Sequence, residues 1–237
     1  MPQSPTTARP TPQRPSVRLV LAISLDGRLA PPEGGAAQLG GEGDRRALEQ
    51  ALAWADACLI GAGTLRAHQC TCLIRNHQLL DQRRREGRPE QPAAVVVSRS
   101  PDFDQDWLFF RQPLQRWLLA PAPVEVGFER WIPLGESWPQ RLEALGSAGV
   151  HRLVLLGGAR LAADLLAADC VDALRLTLVP RLLGGGNTWI PTACSGLPEA
   201  LSLPEAWSDE GAHPLGGGEW LLCYRRRRTP PTGGVHG

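Results

Sequence analysis

Short apolar runs alternate along this chain with amphipathic or glycine-rich stretches, and the alternation predicts strands separated by helices. Residues 17–23, Val-Arg-Leu-Val-Leu-Ala-Ile, are apolar and β-branched and break at Ser24-Leu25-Asp26-Gly27, which predicts a first strand. Glycines at 34, 35, 40, 41 and 43 then predict irregular backbone. From 44 to 54, Ala47, Leu48, Ala51 and Leu52 recur at helical spacing, with Arg45, Arg46, Glu49 and Gln50 on the other face. Further strands are expected at 57–61, 93–97, 116–120, 151–156, 173–179 and 219–224, with a helix after Gly157-Gly158 carrying Leu161, Leu165 and Leu166. Residues 69–92 read as a long surface loop, charged at Arg83-Arg84-Arg85-Glu86. The pattern predicts one α/β domain with a mostly parallel central sheet, flanking helices and an antiparallel C-terminal strand. The domain is expected over 17–224, between flexible tails at 1–16 and 225–237.

Composition narrows the function classes. The 237 residues, 43% hydrophobic and 21% charged, suffice for a packed core, and a net charge of +1 gives no reason to expect nucleic acid as partner. No apolar run approaches the ~20 residues of a membrane span. The first fifteen residues lack the apolar stretch of a signal peptide, so a cytoplasmic protein is expected. The six cysteines include no C-x-x-C pair and the five histidines no H-E-x-x-H, so reduced thiols and no metal site are expected.

Ligands of open α/β sheets bind at the carboxyl ends of strands, which directs attention to three turns. At Gly157-Gly158-Ala159-Arg160-Leu161, missing side chains and a helix start suit a phosphate, although a plain strand-to-helix connection has the same look. Gly61-Ala62-Gly63-Thr64 offers the same geometry, with Thr64 either a helix cap or a ligand contact. Ser98 and Arg99 suit the 2′-phosphate of NADPH or form a polar loop. His68 lies beyond a glycine turn, and Gly184-Gly185-Gly186-Asn187 reads as a turn. No G-x-G-x-x-G or P-loop lysine motif is present.

Taken in order, Ser24-Leu25-Asp26-Gly27, then Ala55-Asp56-Ala57 through Leu59-Ile60-Gly61-Ala62-Gly63-Thr64, then Leu155-Leu156-Gly157-Gly158, then Val171-Asp172 and Pro180-Arg181-Leu182-Leu183-Gly184-Gly185 form a specific set. It resembles the reductase domain of the bifunctional riboflavin-biosynthesis deaminase/reductase, a dihydrofolate-reductase-like fold, over residues 17–224, with no deaminase domain expected ahead of it. The resemblance implies NADPH-dependent reduction of 5-amino-6-(5-phosphoribosylamino)uracil, a phosphorylated pyrimidine, to its ribityl form, by a homodimer joined through the C-terminal strands. By position it implies that Ala22, Gly61, Thr64, Ser98, Arg99, Gly157, Gly158, Ala159, Arg160 and Leu161 line the cofactor. Arg75, with Arg45 as a candidate substitute, would meet the substrate. Asp26 and His68 are the candidate catalytic groups, Asp26 also shaping a loop over the nicotinamide.

The departures fall on the substrate side. The family's lysine in the first strand is Val20, its serine and tryptophan before the first helix are Ala36 and Gln38, its late-helix arginine is Leu52, its Ala-Asp-Asp-Pro reads Ala67-His68-Gln69-Cys70, and its glutamate before Gly-Gly is Leu156. Two other readings stay open: a same-fold reductase of another small heterocycle or carbonyl compound, and a non-catalytic binding domain that displays some of its eight tryptophans. Arg225 to Arg228 read as a solvated tail.

Overall fold

A computed structural model describes residues 14–35, 39–191, 193 and 196–228. Ala36, Gln38, Cys194 and most of both expected tails lie outside the described residues. The strands are β1 (Ser16–Ser24), β2 (Ala57–Gly61), β3 (Ala93–Val97), β4 (Arg116–Ala120), β5 (Arg130–Pro133), β6 (Arg152–Leu155), β7 (Ala173–Val179), β8 (Trp207–Gly216) and β9 (Glu219–Arg226). The helices are α1 (Glu42–Trp54), α2 (Ala62–His68), α3 (His77–Arg85), α4 (Trp138–Ser147) and α5 (Ala159–Ala167).

Among the described residues they form a nine-stranded sheet in the order β5-β4-β3-β2-β6-β1-β7-β9-β8. Every pairing from β5 to β7 is parallel, and β9 runs antiparallel to both β7 and β8. Alternation in the buried strands sends side chains into two separate cores. Leu19, Leu21, Leu59, Val95, Leu119 and Leu153 pack with Leu142 and Leu145 of α4 and Leu165 of α5. Cys58, Ile60, Ala94, Val96 and Leu118 face the other way, against Leu52 of α1, Leu65 of α2 and Leu80 of α3. Helices therefore cover both faces, as a parallel sheet requires.

The interval 69–92 is not one loop. The Asn76 side chain accepts hydrogen bonds from the N–H groups of Gln78 and Leu79, starting α3, and Arg83 is 1% exposed. The Arg83 guanidinium donates to the carbonyls of Leu52, Ala53 and Ala55, so a residue that looked like surface charge caps the C-terminus of α1. Gly41 and Gly43 belong to α1 as its N-cap and second residue, because any Cβ on Gly43 would lie 2.3 Å from the Leu215 carbonyl.

The arginine run is likewise structured. Arg225 and Arg226 lie within β9, Arg225 pairs with Glu210, Arg226 bonds Asp169 at 2.9 Å, and Arg228 bonds Asp172 at 2.6 Å. Acidic partners elsewhere in the chain thus engage Arg225, Arg226 and Arg228, although Arg225, Arg227 and Arg228 stay exposed. Trp117 and Trp138 are buried, whereas Trp131 and Trp220 are exposed.

Candidate active site

The glycine turns after β2 and β6 meet. The Gly61 N–H donates to the Gly157 carbonyl at 3.3 Å, a Cβ on Gly158 would lie 2.9 Å from the Thr64 Oγ1, and one on Gly61 would touch Leu161 at 3.7 Å. Gly157 has φ +84°, and a Cβ there would stand 3.1 Å from Leu21. The turn thus requires glycine for its conformation and for closeness. Gly158 is the N-cap of α5 and supplies no capping side chain, leaving the first-turn amides at Ala159, Arg160 and Leu161 for an outside acceptor. Thr64 is inside α2 and caps nothing, since the N-cap is Gly61. Gly61, Thr64, Gly157, Gly158 and Leu161 are therefore one cluster, and its bare backbone fits a dinucleotide pyrophosphate.

At the end of β3, Ser98 is buried and its hydroxyl accepts from the Ser100 N–H at 3.2 Å, while Arg99 is exposed. Arg141, whose own titration burial and then Arg99 lower, is committed elsewhere: its guanidinium donates to the carbonyls of Leu134 and Gly135 at 2.7 and 3.2 Å and lies over the Trp138 ring. Arg66 closes the same loop by donating to the Ser100 carbonyl at 2.9 Å. The exposed cation available to a phosphate here is Arg99 rather than the Ser98 hydroxyl.

Asp26 is no acid. Its carboxylate accepts from the Ser24 hydroxyl at 2.5 Å and from the N–H groups of Gly184 and Leu183 at 2.7 and 3.2 Å, with Arg28 at 3.6 Å. The Ser24 hydroxyl and then the Gly184 N–H hold it down at about 2, so it is ionised at neutral pH and has no proton to give. Its structural work is to tie the turn after β1 to the segment after β7. Gly185 completes the tie, because a Cβ there would come within 2.9 Å of Pro32, and the Trp189 N–H donates to the Gly27 carbonyl. The glycine segment 184–186 is thus a docking surface for the 25–32 loop.

His68 is exposed at the end of α2. The strands leading to Asp26 and His68 are separated by β6, so the structure does not pair the two. Arg75 is exposed, on a loop fixed to α1 because buried Glu49 accepts from the N–H groups of Arg75 and Asn76 at 3.0 and 2.8 Å. Arg45 is exposed in the first turn of α1. Leu52, where the resemblance expects arginine, is fully buried in the core.

Sequence reasoning missed Asp44. It sits in the first turn of α1, and Thr177, which bears on its titration, is 2% exposed and in register with Ala22 of β1. Burial, with nearby Glu219, raises the Asp44 carboxyl above the ordinary range against the pull of Thr177. Glu219 is 7% exposed and accepts from the Gly41 N–H at 2.6 Å. Gly40 makes room for the arrangement, since a Cβ on it would overlap the Asp44 carboxyl. The signal available in the sequence was a polar Thr within the apolar strand expected at 173–179.

Comparison with known proteins matches this frame. The model of the RibD C-terminal domain family matches residues 15–208. A 2,5-diamino-6-ribosylamino-4(3H)-pyrimidinone 5′-phosphate reductase from Archaeoglobus fulgidus is 28% identical over 202 residues, covering 77% of this chain and 87% of the relative. The riboflavin biosynthesis protein RibD of Haemophilus influenzae is 26% identical, and the chain spans 48% of its length. A pyrimidine reductase-like protein from Corynebacterium diphtheriae superposes with TM-score 0.74 at 21% identity, over 91% of this chain and 93% of that one. Dihydrofolate reductase from Enterococcus faecalis shares the fold at TM-score 0.55 and 12% identity, covering 90% of this chain and 97% of that one. With glycine turns, strand order and family match in agreement, this chain belongs to the RibD C-terminal domain family.

Proposed function

We propose that the protein is an NADPH-dependent reductase of a 6-(5-phosphoribosylamino)pyrimidine in riboflavin biosynthesis, with 5-amino-6-(5-phosphoribosylamino)uracil as substrate. The observation that carries this reading is the glycine cradle of Gly61, Gly157 and Gly158 against Thr64, in a chain of this family. Ala22, Gly61, Thr64 and the turn from Gly157 to Leu161 hold the cofactor, and Arg99 beside Ser98 meets its 2′-phosphate. The bound nicotinamide supplies the hydride, and the chain supplies orientation and electrostatics. Arg75, anchored through Glu49, meets the substrate phosphate, with Arg45 as a second cation at the mouth. The reading includes a cytoplasmic homodimer joined at the C-terminal strands, supported by Trp220 standing 46% exposed on β9.

NADPH oxidation with this substrate, beside an NADH control and the diaminopyrimidinone form, tests it. Turnover preferring NADPH, and falling at least ~10-fold in Arg75→Ala for the loss of one charge-assisted contact, is expected. No oxidation above the substrate-free rate contradicts the reading.

A further inference from the structure

The segment from Gln69 to Asn76 joins α2 to α3 without helix or strand. Among the described residues, 70–75 make no hydrogen bond from main chain to main chain. Their N–H and C=O groups still need partners, and side chains from distant positions supply them. The Gln112 amide accepts from the Thr71 N–H at 2.9 Å and donates to the Thr71 carbonyl at 2.7 Å. The Gln91 amide repeats the arrangement on Ile74, accepting from its N–H at 2.9 Å and donating to its carbonyl at 2.8 Å. Each glutamine thus engages both main-chain groups of one residue, as a neighbouring strand would. Glu49 of α1 completes the set through the N–H groups of Arg75 and Asn76.

All three side chains are buried. Burying polar groups costs free energy that their hydrogen bonds do little more than offset, so the arrangement adds little stability and yields chiefly one fixed main-chain conformation. The bonds concentrate around one residue. Ile74, Arg75 and Asn76 receive four of them, with Ile74 buried and Arg75 exposed. The main chain is therefore fixed on both sides of the cation assigned to the substrate phosphate.

We propose that Gln91 and Glu49, with Gln112 at the far end of the segment, are positioning residues for the substrate: they preorganise 69–76 so that Arg75 is already placed when the substrate phosphate arrives. The inference rests on the functional reading above, which gives Arg75 that role. A loop ordered beforehand need not be ordered on binding, so the effect belongs to substrate affinity rather than to the hydride step. The cofactor turns are built on other main chain, so NADPH affinity is not expected to follow.

The test is steady-state kinetics with 5-amino-6-(5-phosphoribosylamino)uracil and NADPH for full-chain wild type, Gln91→Met, Glu49→Leu, Glu49→Gln and Gln112→Met. Gln91→Met and Glu49→Leu are expected to raise KM ~10-fold or more, with kcat and NADPH affinity within about 3-fold of wild type. Glu49→Gln keeps an acceptor oxygen and should hold KM within about 3-fold. Gln112→Met acts at Thr71, farther from Arg75, and should raise KM about 3-fold. A purely structural role would not act through Arg75, so each variant is also combined with Arg75→Ala. Gln91→Met added to Arg75→Ala should raise KM less than about 2-fold further, because the cation it positions is already gone. An unchanged KM in Gln91→Met and Glu49→Leu, or a further ~10-fold rise on top of Arg75→Ala, overturns the inference and leaves the reductase reading intact. Wild type without turnover overturns both. Should Gln91→Met and Glu49→Leu fail to fold, the inference falls if Gln112→Met leaves KM unmoved, or raises it equally with and without Arg75.

Discussion

Arg83→Met replaces a buried cation by an apolar chain of similar length. Arg83 donates Nε to the Pro89 carbonyl at 2.7 Å and Nη1 to the carbonyls of Leu52, Ala53 and Ala55 at 3.3, 2.9 and 2.7 Å. Losses are uneven. Arg88 still donates to Ala53 and Ala55, and the Leu52 carbonyl keeps the Ala55 N–H, so Pro89 loses its donor outright. One orphaned carbonyl costs about 1–3 kcal/mol, and weakened contacts at three others add a further ~1–2 kcal/mol. Against this, removing the cation relieves a burial that, with Arg88 beside it, lowers its titration to about 10. The net expectation is a destabilisation of about 2–4 kcal/mol, or roughly 5–12 °C in Tm for a chain of this size. Thermal and urea unfolding followed by circular dichroism measure it. NADPH affinity at low temperature should hold, because the contact lies at the C-terminal end of α1 while Asp44 and Gly41 lie at the other. A Tm drop under ~2 °C would refute the capping argument, and a lost cofactor affinity in a fully folded variant would refute the separation of the two ends.

Two further outcomes follow from the geometry. Gly158→Ala puts a methyl 2.9 Å from the Thr64 Oγ1 and should weaken NADPH binding ~10-fold or more by calorimetry, with partial recovery in Gly158→Ala/Thr64→Ala; equal losses in both variants would contradict the contact. Asp26 is held below its unfolded value of 3.8, at about 2, so its contribution to stability is present above pH ~4 and is lost as pH falls toward ~2. Urea midpoints of wild type and Asp26→Asn should therefore converge over that window, and parallel curves would contradict the tether.

The buried parallel strands were legible because β2, β3, β4 and β6 carry short apolar runs and β1 and β7 are apolar apart from Arg18, Arg175 and Thr177, a signal that survives without knowing their neighbours. What escaped depends on partners far along the chain. β8 is broken by bulges at Asp209 to Gly211 and at Pro214 to Gly216, which blurs its alternation. α3 hides in a charged stretch because Arg83 spends its charge on the carbonyls of another helix. The site divides the same way. Glycine pairs announced a backbone approach, whereas the Asp44 carboxyl is raised first by burial and then by Glu219, against Thr177, all brought to it by distant parts of the chain. Local pattern reports secondary structure, and the environment of a carboxyl is set by what the fold brings to it.

The central claim is hydride transfer from NADPH to the anomeric carbon of a phosphoribosylaminopyrimidine. The most direct measurement incubates the protein with 5-amino-6-(5-phosphoribosylamino)uracil and NADPH carrying deuterium on one or the other face of the nicotinamide, followed by mass spectrometry of the pyrimidine product. The account predicts a ribitylamino product, one mass unit heavier with one of the two labelled cofactors. Absence of that product, or a product without deuterium from either cofactor, would contradict it.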